Sequence, residues 1–418
     1  MAAGGAYVLP MTERTDILVT GGGLGGLTLS LALARAGLRV RLVDLQPRAA
    51  QIREDFDGRS YALALASSRM LRALGLWSEL AEEAQPIEEI RVTDGRAGEA
   101  PSPLWMQFSA EELEERPMGF LVEDRHLRRA ALDAVAAHPR IRYLDGRRVL
   151  AQQTGPSGAT VELDDGSRHG ASLLVGADGR ASGTASRAGI GRRGHDYGQT
   201  ALVCALSHER PHCGIAHQYF MPEGPLAILP LKGNRSSIVW TQPRATAAAV
   251  AALDDAGYLA ALRPRFGDFL GEIALAGARW SYPLALSLAA SLTAPRLALV
   301  GDAARAIHPI AGQGLNAGLR DIAALTEVVA EAHRRGEDIG AADVLARYTR
   351  WRRFDNTALA LATDGFNKLF SNDNPVLRTV RGIGMGAVTA LPGLRRGFIR
   401  EAAGLTGDLP RLMRGQPA

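Results

Sequence analysis

The chain has 418 residues, 46% of them hydrophobic, with 48 Lys plus Arg against 44 Asp plus Glu and a formal charge of +4. This is an ordinary globular composition, long enough for a large core and for two domains. The small basic excess, all Arg apart from Lys232 and Lys368, contains no run interleaved with aromatic residues and predicts no nucleic-acid partner.

Two cysteines, Cys204 and Cys213, form neither a C-x-x-C pair nor a metal-type cluster with histidine. No metal site is expected, and both are read as reduced thiols of a cytosolic protein. Met1 to Pro10 lacks the basic region and apolar core of a signal peptide.

In chain order, the first strong pattern runs from Thr15 to Asp44. Ile17 to Val19 reads as a buried strand, Leu24 to Ala36 as an Ala/Leu-rich helix ended by Gly37, and Leu38 to Val43 as a second strand closed by Asp44. Between strand and helix, Gly21, Gly23 and Gly26 spell G-x-G-x-x-G. Gly21 permits the tight turn, Gly23 lets the backbone approach a pyrophosphate, and Gly26 allows close helix–strand packing. The free amides and the helix dipole then face the phosphates. Asp44 stands where an acid binds a ribose hydroxyl. A spanning helix would need about 20 predominantly apolar residues, and the glycine-rich polar turn argues against one.

Gly58 to Trp77 suggests a helix ending at Gly75, preceded by Arg59, a cation for phosphate or a solvated surface residue. Ile87 to Thr93 reads as a strand, Glu99 to Glu115 as an excursion loop, Met118 to Glu123 as extended and Leu127 to Ala137 as an amphipathic helix. Further strands are predicted at 141–144, 148–152 and 160–163. A second pattern, Leu173 to Ile190, runs an apolar strand into Gly176-Ala177-Asp178-Gly179 and Arg180. Asp178 either binds phosphate through water or fixes the turn through backbone N–H groups. From Arg192 to Pro295 short strand-like segments and polar turns predict an antiparallel sheet. The third pattern, Arg296 to Ala332, is a strand ending at Gly301-Asp302, a loop with His308, Pro309, Gly312, Gln313 and Gly314, and a helix from near Leu315. Asp302 suits the hydroxyls of a ribityl or ribose chain. The glycines expose amides at a helix start, suited to the anionic edge of a reduced flavin. The last part, from Asp343, reads as helical and basic. Its helices either pack on their own protein or lie at a membrane surface.

These three patterns together resemble the single-component flavoprotein aromatic hydroxylases. Gly21 to Gly26, Ala177-Asp178-Gly179-Arg180, and Gly301-Asp302-Ala303-Ala304 with His308-Pro309 and Gly312 to Asn316 look like that family's three motifs. Asp57-Gly58-Arg59, Val122 to Arg125, Tyr197-Gly198-Gln199, Gly224 to Leu231 and Trp351 to Pro375 are similar to its ubiquinone-biosynthesis branch. Asp44 stands where the family more often has Glu, and Arg305 where many members have His.

The resemblance implies an α/β fold: a Rossmann-like FAD-binding domain (residues 15–188 and 296–370), an antiparallel-sheet substrate domain (189–295) and a basic C-terminal helical segment (371–418), like para-hydroxybenzoate hydroxylase. It implies FAD, O2 and NAD(P)H or another electron donor, with a C4a-hydroperoxyflavin hydroxylating a prenylated aromatic ring. The FAD-binding residues it implies are Gly21, Gly23, Leu24, Gly25, Gly26 and Asp44 for the ADP half, Arg59 and Arg125 for phosphates or the ribityl chain, and Asp178. To these it adds Asp302 for the ribityl chain, and Pro309, Gly312, Gln313, Gly314, Leu315 and Asn316 around the ring. Tyr219, Met221, Leu229, Pro230 and Pro309 are the substrate-pocket candidates; no catalytic side chain is assigned, because the cofactor carries the chemistry. The implied setting is cytoplasmic, peripheral on the inner membrane face, among other ubiquinone-biosynthesis proteins. Competing readings are a hydroxylase of a soluble aromatic, an FAD-dependent dehydrogenase or saturase of prenyl chains, and a non-catalytic FAD-binding scaffold.

Overall fold

The computed structural model describes residues 12–52, 54–99, 105–307, 313–353, 386, 388–389 and 391–418. In chain order, β1 (Thr12–Thr20), α1 (Leu24–Arg35) and β2 (Val40–Val43) form the opening unit. A short α2 (Arg48–Gln51) leads to β3 (Ser60–Ala64) and α3 (Leu65–Ala73). Strands β4 (Gln85–Ile87), β5 (Glu89–Asp94), β6 (Met106–Ser109) and β7 (Gly119–Glu123) precede α4 (Asp124–Ala137) and β8 (Ile141–Leu144). The hairpin β9 (Val149–Gly155) and β10 (Gly158–Leu163) returns to β11 (Arg168–Gly176) and α5 (Gly183–Arg187). Strands β12 (Arg192–His208), β13 (Ile215–Phe220), β14 (Leu226–Leu231) and β15 (Arg235–Pro243) follow. Next come α6 (Arg244–Ala251), α7 (Asp255–Phe266), β16 (Ile273–Leu275) and β17 (Trp280–Ala289). Then β18 (Thr293–Ala294), β19 (Leu297–Leu299), β20 (Arg305–Ala306) and α8 (Gln313–Arg334) lead towards α9 (Pro392–Ala402).

The first sheet has the order β18-β19-β11-β1-β2-β8, with β9 and β10 attached through β11. Its centre is parallel: β1 pairs with β2 on one side and β11 on the other. Such strands are buried on both faces, which is why Ile17, Leu18 and Val19 read as an unbroken apolar run. Helices α1, α4 and α8 supply Leu27, Leu31, Leu127, Val135, Ile322 and Val329 to the core on one side. All three sequence patterns end at this sheet's carboxyl edge, where β1, β11 and β19 run into glycine turns. Open α/β sheets bind ligands at that edge.

The second sheet has the order β20-β17-β12-β15-β14-β13-β5-β6. Strands β5 and β6 belong to it although they lie within the segment grouped by sequence with the cofactor domain. Residues 99–115, read as a loop, contain β6. Met106 and Phe108 alternate onto one face of the sheet, a period too short to recognise in four residues. The helix expected within Gly58 to Trp77 likewise begins only at Leu65. Ser60 to Ala64 instead pairs antiparallel with β7, a long-range pairing that overrides the helical preference of Ala and Leu.

The second sheet's two faces pack differently. One is closed by α6 and α7: Leu202, Cys204, Leu226, Ile228, Ile238 and Trp240 form a cluster with Tyr258, Leu262 and Phe266. The other faces the three-stranded β3-β7-β4 sheet, where Ala205, Ala216, Phe220 and Leu231 meet Ile87, Met118 and Leu121. Because side chains alternate, each strand's odd and even residues go to opposite faces.

Candidate active site

The site begins at the turn after β1. Gly21 has φ +97°, and a Cβ there would lie 2.5 Å from the Ala177 carbonyl oxygen. A Cβ on Gly26 would lie 1.7 Å from the Gly21 carbonyl oxygen. Both glycines are therefore demanded by the protein's own backbone. Gly23 differs: its Cβ would meet no protein atom within 4 Å, and Gly25 sees only Ile322 at 3.8 Å. α1 has no side-chain cap and no acid in its first turn, so its leading amides face open space. Leu24, the first residue of α1, turns inward and is buried in the core. An open cradle lined by helix amides, with no acid in the first turn of α1, fits the pyrophosphate of a dinucleotide.

Asp44, at the tip of β2, takes the Gly22 N–H on Oδ2. Its Oδ1 takes the Gln46 N–H (2.6 Å) and the Gln51 amide (3.3 Å). It therefore clamps the glycine loop while standing at the ribose position. Tyr143, whose phenol burial raises to about 12, lies against Gly22 and accepts from Gln51 at 2.9 Å. Asp178 is bonded internally. Its Oδ1 accepts from the Ser182 hydroxyl (2.5 Å), and Oδ2 accepts from the Thr184 N–H (2.9 Å) and hydroxyl (2.8 Å). Of its two sequence readings, the turn-fixing one describes these contacts. The Ala177 N–H donates to the Thr20 carbonyl at 2.8 Å, which seats the second motif against the first.

Asp302 follows β19. Its side chain is 51% exposed, yet protein surrounds it on most sides, and that burial raises its pKa above the usual carboxylate range. The charges of Arg180, Arg305 and Arg192 oppose the shift. Pro309 and Gly312, with His308, lie outside the described residues. Gln313, Gly314 and Leu315 form the first turn of α8, and a Cβ on Gly314 would meet nothing within 4 Å. Asn316 instead locks α8 to the β3–α3 junction. Its Oδ1 accepts from the Ala64 N–H (2.9 Å) and the Ser67 hydroxyl (2.8 Å), and its Nδ2 donates to the Ala62 carbonyl (2.8 Å).

Arg59 and Arg125 are held by acids. Arg59 donates to Asp57 (2.7 Å), lies 3.4 Å from buried Asp124 and stacks over Trp280 at 5.1 Å. Arg125 donates to Glu123 at 2.7 Å. The buried Glu123 carboxylate also takes Arg235 from β15 at 2.8 Å, tying the two halves together. Three residues at this junction were missed from sequence. Trp280 donates to the Asp57 carbonyl at 2.7 Å. Tyr282, two residues on and so on the same face, has its phenol pKa raised by burial and feels Arg59 and Arg180. Arg192 reaches the carbonyls of Asp302 (3.2 Å) and Ala303 (2.7 Å). The W-x-Y spacing on β17 is the signal that would have found the first two.

The pocket candidates divide by face. Tyr219 and Met221 pack into the helix-covered cluster, away from the cofactor side. Pro230 shares that face, being one residue from Leu229 and two from Ile228. This corrects the sequence expectation for the three of them. Leu229 lies on the opposite face, towards the β3-β7-β4 sheet, and Pro309 lies outside the described residues. On that side, Val203, Val239, Ala227 and Gln218 form one row across β12, β15, β14 and β13. All four are half-buried, as is Leu229, whereas Leu202, Trp240 and Leu226 behind them are closed.

Residues 14–360 match the FAD binding domain family. Ubiquinone hydroxylase UbiL of Rhodospirillum rubrum is 45% identical over 405 residues, covering 96% of this chain and 93% of the relative. The 3-demethoxyubiquinol 3-hydroxylase of Escherichia coli is 32% identical, covering 94% and 99%. Among solved structures, p-nitrophenol 4-monooxygenase PnpA of Pseudomonas putida shares the fold with a TM-score of 0.78 at 18% identity, over 95% of this chain and 99% of that one.

Proposed function

The chain belongs to the FAD-binding-domain family of flavoprotein hydroxylases and is an FAD-dependent aromatic-ring monooxygenase, and from that premise we propose its substrate: the aromatic ring of a polyprenylated phenol or quinone precursor of ubiquinone. The observation that carries this reading is the nearly end-to-end likeness to two ubiquinone hydroxylases.

Bound FAD supplies the redox chemistry, taking electrons from NAD(P)H or another donor and activating O2. The protein's part is to hold, orient and keep dry. The amides of Gly23 to Gly26 receive the pyrophosphate, and Asp44 offers its remaining lone pairs to the ribose. Asp302 meets the ribityl chain, with Arg180 and Arg192 beside it. The first turn of α8 carries amides for the flavin's charged edge. Arg59 and Arg125, braced by Asp57 and Glu123, keep the excursion strands over the cofactor. The Val203–Val239–Ala227–Gln218 row and Leu229 form the substrate wall. Tyr282 keeps its phenol proton and can donate it as a hydrogen bond at the junction of the two sheets.

The direct test is the mass profile of quinone lipids in cells lacking this protein and any second hydroxylase. A prenylated precursor short of one or more oxygens is expected to accumulate. Unchanged ubiquinone would overturn the substrate and favour a soluble aromatic. Complementation by a chain unable to hold FAD would favour the scaffold.

A prenylated substrate also calls for a lipid surface. No helix among the described residues is long and apolar enough to cross a membrane. On α9, Leu394 (51% exposed) and Phe398 (41%) share one face, joined by Leu391 (52%) just before the helix, while Arg396 and Arg400 are exposed elsewhere on it. Buried Ile399 anchors α9 to the protein. In this reading the apolar stripe dips into the bilayer. Replacing all three by Ser is expected to lower co-sedimentation with anionic vesicles at least about tenfold, since each large apolar side chain contributes roughly 1.5–3 kcal/mol when buried. Unchanged partition would remove α9 from the docking surface.

A further inference from the structure

The turn that carries Asp302 is held by a side chain from the second sheet. Gly301 to Ala303 form one 3-10 turn, closed by the Ala304 N–H on the Gly301 carbonyl (3.0 Å). The next three carbonyls take partners from outside the turn. Arg192, the first residue of β12, donates from Nη2 to Asp302 (3.2 Å) and from Nη1 to Ala303 (2.7 Å). The Ala289 N–H, at the end of β17, donates to Ala304 (2.8 Å). Ser287 on β17 aims the guanidinium. Nε donates to its hydroxyl (2.7 Å) and Nη2 to its carbonyl (3.2 Å). Acceptors on both sides thus match the planar fork of an arginine, which a lysine does not reproduce. The Asp302 carboxylate, by contrast, accepts no hydrogen bond among the described residues. The nearest cation among them is Arg180 Nε, at 4.0 Å, beyond hydrogen-bond reach. Its lone pairs are left for a ligand, and its direction follows from the backbone that Arg192 holds.

We infer that Arg192 is a positioning residue for the cofactor: reaching from the second sheet, it fixes the turn on which Asp302 offers its carboxylate to the FAD ribityl chain. The inference rests on the ribityl reading of Asp302. The brace crosses from one sheet to the other, since β12 belongs to the second and β19, which leads into the turn, to the first. Arg192 acts through the two carbonyls it binds. Its charge works in the same sense: burial raises the Asp302 pKa, and the Arg180, Arg305 and Arg192 charges oppose that rise and favour the ionised acceptor.

The test is a double-mutant cycle on FAD affinity, titrated by flavin fluorescence into the full chain stripped of cofactor. Arg192→Met keeps the apolar stem and removes the four hydrogen bonds. It is expected to weaken FAD binding about tenfold, the scale of one charge-assisted hydrogen bond. In a chain carrying Asp302→Ala, the same replacement is expected to change the affinity less than about twofold, because the group that Arg192 positions is gone. Arg192→Lys, which keeps the charge and loses the fork, is expected to fall between wild type and Arg192→Met. Wild-type affinity in Arg192→Met overturns the inference. So does an equal loss with and without Asp302, which is what a purely structural role predicts. If Arg192→Met does not fold, Arg192→Lys carries the same cycle. A loss seen only when Asp302 is present supports the inference, and no loss or an equal loss overturns it. Wild-type affinity in Asp302→Ala would overturn the ribityl reading of Asp302 and the inference with it. Wild-type protein that takes up no FAD would instead overturn the cofactor reading itself.

Discussion

Gly26→Ala is expected to yield a chain that holds no FAD and unfolds at lower temperature than wild type. The added methyl would lie 1.7 Å from the Gly21 carbonyl oxygen, a backbone atom inside the turn, so no side-chain rotation relieves it. Separating α1 from β1 then opens the core at Leu27 and Leu31, at a cost of about 3 kcal/mol or more. Gly23→Ala is the informative partner. Its Cβ meets no protein atom and its φ of −69° suits alanine. The apo protein should therefore unfold as wild type does, while FAD affinity falls at least about tenfold, a methyl standing where the ligand backbone approach is needed. Thermal unfolding of the apo form and a fluorescence titration with FAD separate the two effects. Wild-type FAD affinity in Gly23→Ala would mean that the loop does not lie against the pyrophosphate.

The second large effect is expected at the substrate wall. Ala227→Trp projects an indole from the half-open sheet face into the space assigned to the aromatic ring, with Val239 and Gln218 on either side. The FAD content should be that of wild type, because Ala227 lies in the second sheet and the cofactor cradle in the first. Turnover of the prenylated substrate should drop by about a hundredfold or more, the scale on which misplacing a reactant acts. Tyr219→Phe, a few ångströms away on the neighbouring strand but on the helix-covered face, should turn over much as wild type does. Activity lost in Tyr219→Phe and kept in Ala227→Trp would reverse the assignment of the two faces.

Much of the cofactor cradle was legible because its constraints are local. A turn needing φ near +97° at Gly21, a helix start within three residues and an acid at the end of the next strand are all fixed offsets along the chain. Asp44 and Asp178 show where that legibility stopped. Both acids stand where the motifs put them, but much of their bonding capacity goes to the protein's own N–H and hydroxyl groups, through partners up to 22 residues away. Asn316 was read as flavin-facing, yet its amide bonds residues more than 240 positions earlier in the chain.

The family, the parallel βαβ start, the glycine cradle and the antiparallel second sheet were determined by the sequence alone, because each rests on spacing within a few residues or on alternation along a strand. Which face of the second sheet the helices close and which stays turned towards the β3-β7-β4 sheet was decided only by the tertiary structure. Alternation sorts Tyr219 and Met221 from Phe220, and Pro230 from Leu229, but assigns neither set to the cofactor side. That choice is made when α6 and α7 close over one face and β4 and β7 approach the other. The same docking brings Trp280 to Asp57, Arg235 to Glu123 and Arg352 to Asp321. The junction they build depends on surfaces meeting in space, and no local pattern in the chain encodes it.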